Sequence, residues 1–442
     1  MDAQEIKRLD REHHLHSWSV QGVLDPIVFD RAQGSCFWDA AGKRYLDFSA
    51  QLMNQNTGHQ HPKVVKAIQD QAAKVCFCAP GMAYESKSAL VAELLKVTPG
   101  DLKHFFFTLG GADANENAVK IARLYTKKFK IVSRYRSYHG ATFGAITLTG
   151  DPRRPPVEPG IPGVVRVFDP YCYRCSFGLE YPGCDVRCAR NIEEVILYEN
   201  PDTVAAIIME GVCGSNGIFV PPPEYLPTVR EICDRYGVLL ISDEVMSGFG
   251  RTGQWFAVNN WNVVPDIITM AKGLTSGYLP LGGAALSKKI ADYFQKNMLW
   301  GGLTYNAHPL CCAAAVATLQ VYHEENLIER ARTLGSFLMK ELGALQAKHP
   351  CVGDARGIGL FTVLELVKDR KTREPLVPWN AAGPDLALNK EINKRLLAGG
   401  VYTFVRWNWV FVVPPLVVSQ DELKEGLAVI DDVLTFVDGQ IK

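Results

Sequence analysis

The sequence predicts an α/β fold in which a mainly parallel, seven-stranded sheet forms the core of a large domain. Two observations support this. Short apolar runs that are typical of buried strands begin at His104, Lys130, Gly163, Thr203, Gly237, Asp266 and Gly282. Several of these runs are separated by amphipathic stretches with helical spacing, which is the pattern of a sheet covered by helices on both faces.

The two ends of the chain differ from this central region. Residues 29–48, FDRAQGSCFWDAAGKRYLDF, resemble a β-hairpin that turns at Ala41 and Gly42, and helix and strand patterns resume after about residue 320. We therefore expect a smaller α+β domain assembled from residues 1–60 and 319–442. The large domain would span residues 61–318.

The composition excludes several classes of protein. The 442 residues include 47 Lys or Arg and 47 Asp or Glu, so no net basic charge attracts nucleic acid or an anionic membrane. The N-terminal segment is densely charged, unlike a signal peptide, and the longest apolar stretch, from Trp409, is too short to span a bilayer. We expect a cytoplasmic protein with small-molecule partners and no nucleic-acid or membrane partner.

The carboxyl ends of the predicted strands are where ligands bind in an open α/β sheet. At the first, TLGGADANENAVKIAR from Thr108, a strand runs into Gly110 and Gly111 and a helix follows. Unpaired N–H groups at a helix start, next to glycines, suit a phosphate, although a plain tight turn explains the motif equally well. The pattern GxxxxGK[ST] is absent, which disfavours a nucleoside-triphosphate P-loop.

The second strand end lies in GVLLISDEVMSGFGRTG, from Gly237, where Asp243 directly follows an apolar run. Opposite a cation ~4 Å away, a carboxylate gains roughly 4 kcal/mol at an effective dielectric of 20. Asp243 could therefore keep a heterocyclic nitrogen protonated. The alternatives are that Asp243 caps the next turn or pairs with Arg251.

The same stretch contains GFGRTG, from Gly248 to Gly253, which matches the dinucleotide fingerprint G-x-G-x-x-G. That fingerprint requires a helix to begin there, and the following QWFAVNNWNVVP has no helical pattern. The next acidic residue, Asp266, comes only thirteen positions after Gly253 instead of about twenty. We interpret the match as accidental and keep a nicotinamide-dependent dehydrogenase only as a distant alternative.

The third strand end is DIITMAKGLTSGYLPLGG, from Asp266, where Lys272 closes an apolar run and small residues follow. In a partly dry pocket the pKa of a lysine falls, and its amine can condense with an aldehyde. A lysine that merely extends to the surface is the alternative. A phosphate cradle, a carboxylate for a ring nitrogen and a lysine for an aldehyde together match one cofactor, pyridoxal 5′-phosphate.

Over nearly its whole length the chain resembles the class III, or omega-type, pyridoxal-phosphate aminotransferases of fold type I. DEVMSGFGRTG followed by AKGLTSGYLPLGG carries the resemblance, with Lys272 placed 29 residues after Asp243. The resemblance implies that Lys272 binds the cofactor and moves a proton between it and the substrate carbon, while Asp243 keeps the pyridinium protonated. The other implied cofactor contacts are Val245 behind the ring, Tyr138 on its other face, His139 beside it, and the backbone amides of Gly111 and Ala112 at the phosphate.

The resemblance also implies a homodimer with shared active sites, because Thr304 would reach the phosphate of the neighbouring subunit. Glu210 would lie beside the cofactor and substrate and could pair with a mobile arginine. Arg406 is the best candidate to clamp the carboxylate of the acceptor, unless it is a strand arginine that faces solvent. Trp18 and Met53 are expected to help shape the substrate pocket.

Two segments, LTSGYLPLG and LTYNAHPL, resemble the branch that transfers amino groups from omega-amino acids, taurine or simple amines to pyruvate, with ping-pong kinetics. Met246 stands where members that use 2-oxoglutarate often have glutamine, and Met53 stands where this branch often has tryptophan. The phosphate loop, GGADA, lacks two usual hydroxyl groups, at Gly110 and Ala112. The alternatives are a 2-oxoglutarate-dependent 4-aminobutyrate or ornithine-type aminotransferase, and a racemase or aminomutase of the same fold.

Four of the twelve cysteines form a cluster spaced C-x2-C-x8-C-x3-C: Cys172, Cys175, Cys184 and Cys188. This spacing could form a tetrahedral zinc site, and disulfides or reduced thiols are equally open. We interpret the cluster as a local clamp outside the chemistry. We assign no metal to the catalytic site.

Overall fold

The computed structural model describes residues 1–441. Its strands are β1 (Phe29–Gln33), β2 (Cys36–Asp39), β3 (Arg44–Asp47), β4 (His104–Thr108), β5 (Lys130–Arg134), β6 (Val164–Val167), β7 (Val204–Glu210), β8 (Leu239–Asp243), β9 (Ile267–Met270), β10 (Gly282–Leu286), β11 (Val352–Ile358), β12 (Phe361–Asp369), β13 (Glu374–Pro375), β14 (Val401–Tyr402), β15 (Val405–Arg406) and β16 (Trp409–Val412). Its helices are α1 (Ala3–His13), α2 (Ala50–Met53), α3 (Pro62–Lys74), α4 (Glu85–Val97), α5 (Gly111–Thr126), α6 (Phe143–Leu148), α7 (Arg187–Tyr198), α8 (Tyr225–Tyr236), α9 (Lys288–Phe294), α10 (Pro309–Glu324), α11 (Leu327–Lys348), α12 (Ala387–Ala398) and α13 (Gln420–Asp438).

The large sheet has seven strands in the order β4-β10-β9-β8-β7-β5-β6, one for each predicted apolar run. Strands β5 to β9 pair in parallel, and β10 runs antiparallel to both β4 and β9. All residues of the central strand β7 are buried, as expected for a strand covered on both faces. The predicted mainly parallel, seven-stranded sheet is confirmed.

Helices cover both faces of this sheet. On one face, Ile192 of α7 and Val229 of α8 pack in an apolar cluster with Ile207 of β7. The next residue of β7, Ile208, points to the opposite face and packs with Ile121 of α5. Successive residues of a strand point to opposite sides, so the continuous apolar run of β7 supplies both layers of the core.

The two chain ends meet in a second sheet of order β1-β2-β3-β14, in which β14 pairs in parallel with β3. The predicted hairpin joins β2 and β3, and Gly42 in its turn has a φ of +82°. A third sheet has the order β11-β12-β16-β15, with β13 paired to β12. The boundary expected between residues 318 and 319 falls within α10, and the division into residues 1–60, 61–318 and 319–442 stays a prediction.

The segment from Gly248 to Gly253 forms turns rather than the start of an α-helix. Its Arg251 is fully buried and donates hydrogen bonds to Asn56 Oδ1 (2.6 Å), to the Leu360 carbonyl (3.1 Å) and to the Pro414 carbonyl (2.5 Å). Arg251 therefore ties the large sheet to both chain ends, and the local structure does not match a dinucleotide-binding turn.

None of the helices within residues 1–441 combines the length and the apolar composition needed to cross a membrane. The cytoplasmic location expected from the sequence stays a prediction.

Candidate active site

Three neighbouring strands end at one edge of the large sheet. Glu210 at the end of β7 pairs opposite Asp243 at the end of β8, which pairs opposite Thr269 of β9. Lys272 lies two residues beyond the end of β9. A cavity of about 550 Å³ opens here, and the predicted site residues that line it are Gly111, Ala112, Tyr138, His139, Glu210, Asp243, Val245 and Lys272.

Lys272 begins a 3₁₀ turn with a φ of +42°, a left-handed conformation that side chains with a Cβ rarely adopt. Within residues 1–441 its amine has no hydrogen-bond or ion-pair partner. Burial lowers the pKa of Lys272, while the carboxylates of Asp243 and Glu210 raise it. Lys272 thus lines the cavity instead of reaching to the outer surface, and its amine loses its proton more readily than an ordinary lysine does.

Asp243 is held by three donors. Its Oδ2 accepts hydrogen bonds from Asn115 Nδ2 (2.8 Å) and His139 Nδ1 (2.7 Å), and its Oδ1 accepts one from the Val245 amide (3.0 Å). The bond from the Val245 amide shows that Asp243 caps the turn that follows β8, which was one of the two alternatives expected from the sequence. The alternative pairing with Arg251 is wrong, because Arg251 makes its contacts elsewhere.

Asn115 is a site residue that the sequence analysis missed. It is 1% exposed, and besides Asp243 it contacts the His139 carbonyl (2.8 Å, from Nδ2) and Thr269 Oγ1 (2.6 Å, to Oδ1). Asn115 shares the buried face of α5 with Val119 and Ala122, at helical spacing. A polar side chain on an otherwise apolar helix face was the signal that could have identified it.

The start of α5 is the segment for which a phosphate site is predicted. The carboxylate of Asp113 accepts hydrogen bonds from the amides of Leu109 (2.7 Å) and Gly110 (2.8 Å), which fixes the turn. As the first residues of the helix, Gly111 and Ala112 have N–H groups without an intrahelical acceptor. A Cβ at Gly111 would lie 2.7 Å from Val245 Cγ1, so this approach requires glycine.

Tyr138 lines the cavity, and the Arg153 guanidinium covers one face of its ring, 3.7 Å from the ring centroid. Trp18 lies edge-on to Tyr138, with 6.4 Å between centroids. His139 is buried, and its Nε2 has no hydrogen-bond partner within residues 1–441.

Glu210 is held by backbone amides and not by an arginine side chain. Its Oε1 accepts a hydrogen bond from the Tyr138 amide (3.2 Å) and its Oε2 from the Gly214 amide (2.7 Å). Arg134 donates only to the Glu210 carbonyl (2.8 Å). Burial raises the pKa of Glu210.

Arg406 is mostly buried, so the alternative of a strand arginine facing solvent is wrong. It donates to the Ser215 carbonyl (3.1 Å) and to Asp151 Oδ2 (3.2 Å), and it stacks on Trp407. Burial and the nearby Arg153 lower the pKa of Arg406 to about 10. Because Ser215 lines the cavity, Arg406 lies directly behind the cavity wall.

Arg153 is the second residue that sequence reasoning missed. Its Nε lies 3.1 and 3.0 Å from the two oxygens of Asp151, and its Nη2 donates to Ser215 Oγ (3.0 Å). Burial raises the pKa of Asp151, but Arg153 and Arg406 more than offset this and leave it lowered. Two guanidinium groups thus share one carboxylate beside the cavity, and the local charge is positive.

Besides Arg406, three predicted site residues do not line the cavity. Met53 is buried in the core, while its neighbour Asn54 lines the cavity. Thr304 is exposed in the loop between α9 and α10. Trp18 is 59% exposed and lies next to Tyr138.

The residues present fit pyridoxal 5′-phosphate. The cavity combines an amine without a partner at Lys272, a fixed carboxylate at Asp243, and free amides at Gly111 and Ala112, with room for a close approach at Gly111 because it has no Cβ. Within residues 1–441, no group of three or more histidine, cysteine or acidic side chains is arranged to hold a metal ion. This fold and this site together define a pyridoxal-phosphate-dependent transferase of fold type I.

The chain belongs to the class-III aminotransferase family, whose profile, Aminotransferase class-III, matches residues 19–434. It is an aminotransferase that uses pyridoxal 5′-phosphate, as the sequence analysis predicted. Family membership and the turn at Gly248–Gly253 exclude the nicotinamide-dependent alternative.

Three similar proteins show how broad this family is. A crystal structure of taurine:2-oxoglutarate aminotransferase from Bifidobacterium kashiwanohense, in complex with PLP and glutamate, has a TM-score of 0.96 and 42% identity, covering 100% of this chain and 99% of that one. The taurine–pyruvate aminotransferase of Bilophila wadsworthia is 34% identical, over 99% of this chain and 98% of the relative. The leucine/methionine racemase of Thermococcus litoralis is 36% identical, over 91% and 89%.

Proposed function

We propose that this aminotransferase takes the amino group of taurine, or of another short omega-amino acid with an anionic head group, and passes it to pyruvate. The observation that carries the proposal is the positive charge beside the cavity, where Arg153 and Arg406 share the single carboxylate of Asp151. Two relatives named for taurine support the choice of donor.

Arg153 is better placed than Arg406 to bind the head group. Its Nη1 makes no hydrogen bond within residues 1–441, and its Nη2 reaches Ser215 Oγ on the cavity wall. Arg406, in contrast, uses both terminal nitrogens on Ser215 and Asp151. A guanidinium offers paired donors that match a sulfonate or carboxylate. We therefore assign the head group to Arg153, and give Arg406 the role of holding Asp151 in place.

The remaining residues act on the cofactor and the substrate carbon. Pyridoxal phosphate, when bound, supplies an aldehyde and an electron sink. Lys272 would hold the aldehyde and carry a proton between substrate and cofactor, and the amides of Gly111 and Ala112 would bind the phosphate. Asp243, fixed by Asn115 and His139, would keep the ring nitrogen protonated.

A homodimer is part of this proposal. The loop that contains Thr304 exposes Met298, Trp300 and Tyr305, and Tyr305 packs edge-on against exposed Phe77. Exposed apolar side chains grouped in this way are typical of an interface. The partner subunit would cover this loop and place Thr304 near the neighbouring phosphate site.

A second candidate acceptor is 2-oxoglutarate, supported by the likeness to the Bifidobacterium enzyme named for it. Met246 lines the cavity where glutamine was expected for that acceptor, which favours pyruvate.

A panel of amine donors assayed with each keto acid tests the proposal. Taurine, β-alanine, 4-aminobutyrate, putrescine and a neutral arylalkylamine would each be combined with pyruvate, with 2-oxoglutarate and with no keto acid. We expect the highest kcat/KM for taurine with pyruvate, and parallel lines in double-reciprocal plots. A preference for the neutral amine would refute the head-group site, and a preference for 2-oxoglutarate would refute the acceptor. In a parallel assay without keto acid, inversion of a chiral α-amino acid would indicate a racemase.

A further inference from the structure

The four clustered cysteines line one small cavity, which is separate from the catalytic cavity. Cys172, Cys175, Cys184 and Cys188 are free thiols, and all four line a cavity of about 20 Å³. This volume is close to that of one water molecule or ion. None of the residues that line it also lines the catalytic cavity.

The loop that carries these cysteines has little other internal support. Residues 168–186 connect β6 to α7 and contain no regular element except a 3₁₀ turn at Cys172–Arg174. Loops of this length without secondary structure are uncommon in compact domains. At its start, the Tyr171 hydroxyl and Arg174 Nε (2.6 Å) both donate to Glu365 of β12, and at its end Cys188 lies in the first turn of α7. Within and just after this loop, four thiols line the same small cavity.

The chemistry of the cluster favours a soft divalent cation over a disulfide. Four sulfur ligands on one segment, opening with C-x2-C, match the composition of structural zinc sites. The thiols line the cavity but are not yet arranged as a coordination group, so binding requires the four side chains to move closer together.

We propose that Cys172, Cys175, Cys184 and Cys188 bind one Zn²⁺ as a tetrahedral tetrathiolate. Each thiol loses its proton to solvent as its sulfur bonds to the ion, so four protons are released and no electron is transferred. The ion closes the β6–α7 loop, and thereby holds Tyr171 and Arg174 against Glu365. Its role is structural: it fastens the large sheet to the C-terminal sheet.

Metal analysis of the purified holoenzyme tests this proposal. We expect about one zinc per chain after exhaustive dialysis, and loss of that zinc in the double variant Cys184→Ser/Cys188→Ser. The matched control, Cys76→Ser/Cys78→Ser, removes two thiols outside the cluster and should keep the zinc. Zinc retained in the first double variant would refute the site.

A second measurement on the wild-type chain does not depend on the variants folding. Titration with p-hydroxymercuribenzoate should release one zinc per chain into a colorimetric chelator as the four thiols react. Replacement by Co²⁺ should give the intense thiolate-to-cobalt absorption and visible bands of a tetrahedral site. The proposal would be overturned if the wild-type protein contained no zinc and failed to bind added Zn²⁺. The four cysteines would then be mapped either as disulfides or as free reactive thiols.

Discussion

His139 Nδ1 lies 2.7 Å from Oδ2 of Asp243, and neither side chain is open to solvent. A carboxylate oxygen can only accept, so in a bond to the Asp243 carboxylate it is Nδ1 that carries the proton. Asn115 donates to the same oxygen. Two side chains from different segments therefore meet at one oxygen of Asp243 before any cofactor arrives.

The first prediction concerns Asn115 as a positioning residue. Asn115→Ala removes one donor to a charged carboxylate, a loss of about 1.5–3 kcal/mol, so kcat should fall about 10-fold or more with little change in KM. A shift in the pH at which the absorbance of the bound cofactor changes would show that the effect acts through Asp243. In an Asp243→Asn background, Asn115→Ala should lower kcat much less. Equal losses of kcat in the two backgrounds would contradict the coupling between Asn115 and Asp243.

The second prediction concerns covalent attachment at Lys272. Lys272→Ala should abolish fixation of the cofactor by borohydride and reduce kcat by about 100-fold or more, because both the anchor and the proton carrier are lost. Peptide mass mapping of the reduced wild-type protein checks the position. The control Lys340→Ala, at an exposed lysine, should behave as wild type. Turnover that survives in Lys272→Ala would rule out this role.

The third prediction follows from the lowered pKa of Lys272. Only the unprotonated amine attacks an aldehyde, so cofactor uptake by the apoprotein should rise with pH and level off below pH 10.5, the ordinary lysine value. Because the Glu210 carboxylate raises this pKa, Glu210→Gln should move the midpoint of the rise to lower pH. Stopped-flow absorbance measures the uptake rate at each pH. A midpoint that stays fixed or moves to higher pH would contradict the assignment.

The fourth prediction concerns the head-group site. Arg153→Met should raise KM for taurine about 10- to 100-fold, the cost of losing a charge-assisted hydrogen bond, and leave KM for a neutral amine nearly unchanged. Arg154→Met is the matched control, because Arg154 pairs with Glu158 and not with a residue of the cavity wall. Steady-state kinetics with both donors separates the two effects. An equal loss for both donors would place Arg153 in a general structural role.

The sequence predicted the fold more completely than the site. All seven strands of the large sheet were identifiable, because strands buried on both faces are continuous apolar runs. The polar strand β11, VGDARGI, and the edge strand β1, FDRAQ, lack such a run, although each pairs with the strand that follows it in sequence. Lys272 and Asp243 were identifiable because each ends an apolar run at the edge where ligands bind.

The residues that sequence analysis missed act through contacts between distant segments. Arg153 lies in a proline-rich loop that has no periodic pattern, and its role becomes visible only when Asp151, Ser215 and Tyr138 surround it. Met53 was expected at the pocket, but the kinked backbone of α2 turns Asn54 to the cavity instead. Resemblance to a family identifies the sequence position at which a site residue is expected. The local backbone geometry then determines which side chain near that position faces the ligand.

The fifth prediction concerns stability. Arg251→Met removes three hydrogen bonds from a buried guanidinium and leaves their acceptors unpaired, which should destabilise the protein by about 3 kcal/mol or more. A lowered thermal midpoint at unchanged cofactor content measures this. Arg332→Met, at an exposed ion pair, should change stability by less than about 1 kcal/mol. Similar midpoints for the two variants would show that Arg251 is not a structural anchor.

The parallel pairing of β3 with β14 has a consequence for how the chain is made. Residues 44–47 leave the ribosome long before their partners at residues 401–402. At about 5–20 residues per second, that interval is about 20–70 s. Throughout this time the edge of β3 offers unpaired backbone groups to any passing strand, including that of a second nascent chain. The smaller sheet can close only after synthesis is nearly finished, so the nascent protein depends on its large sheet to fold first.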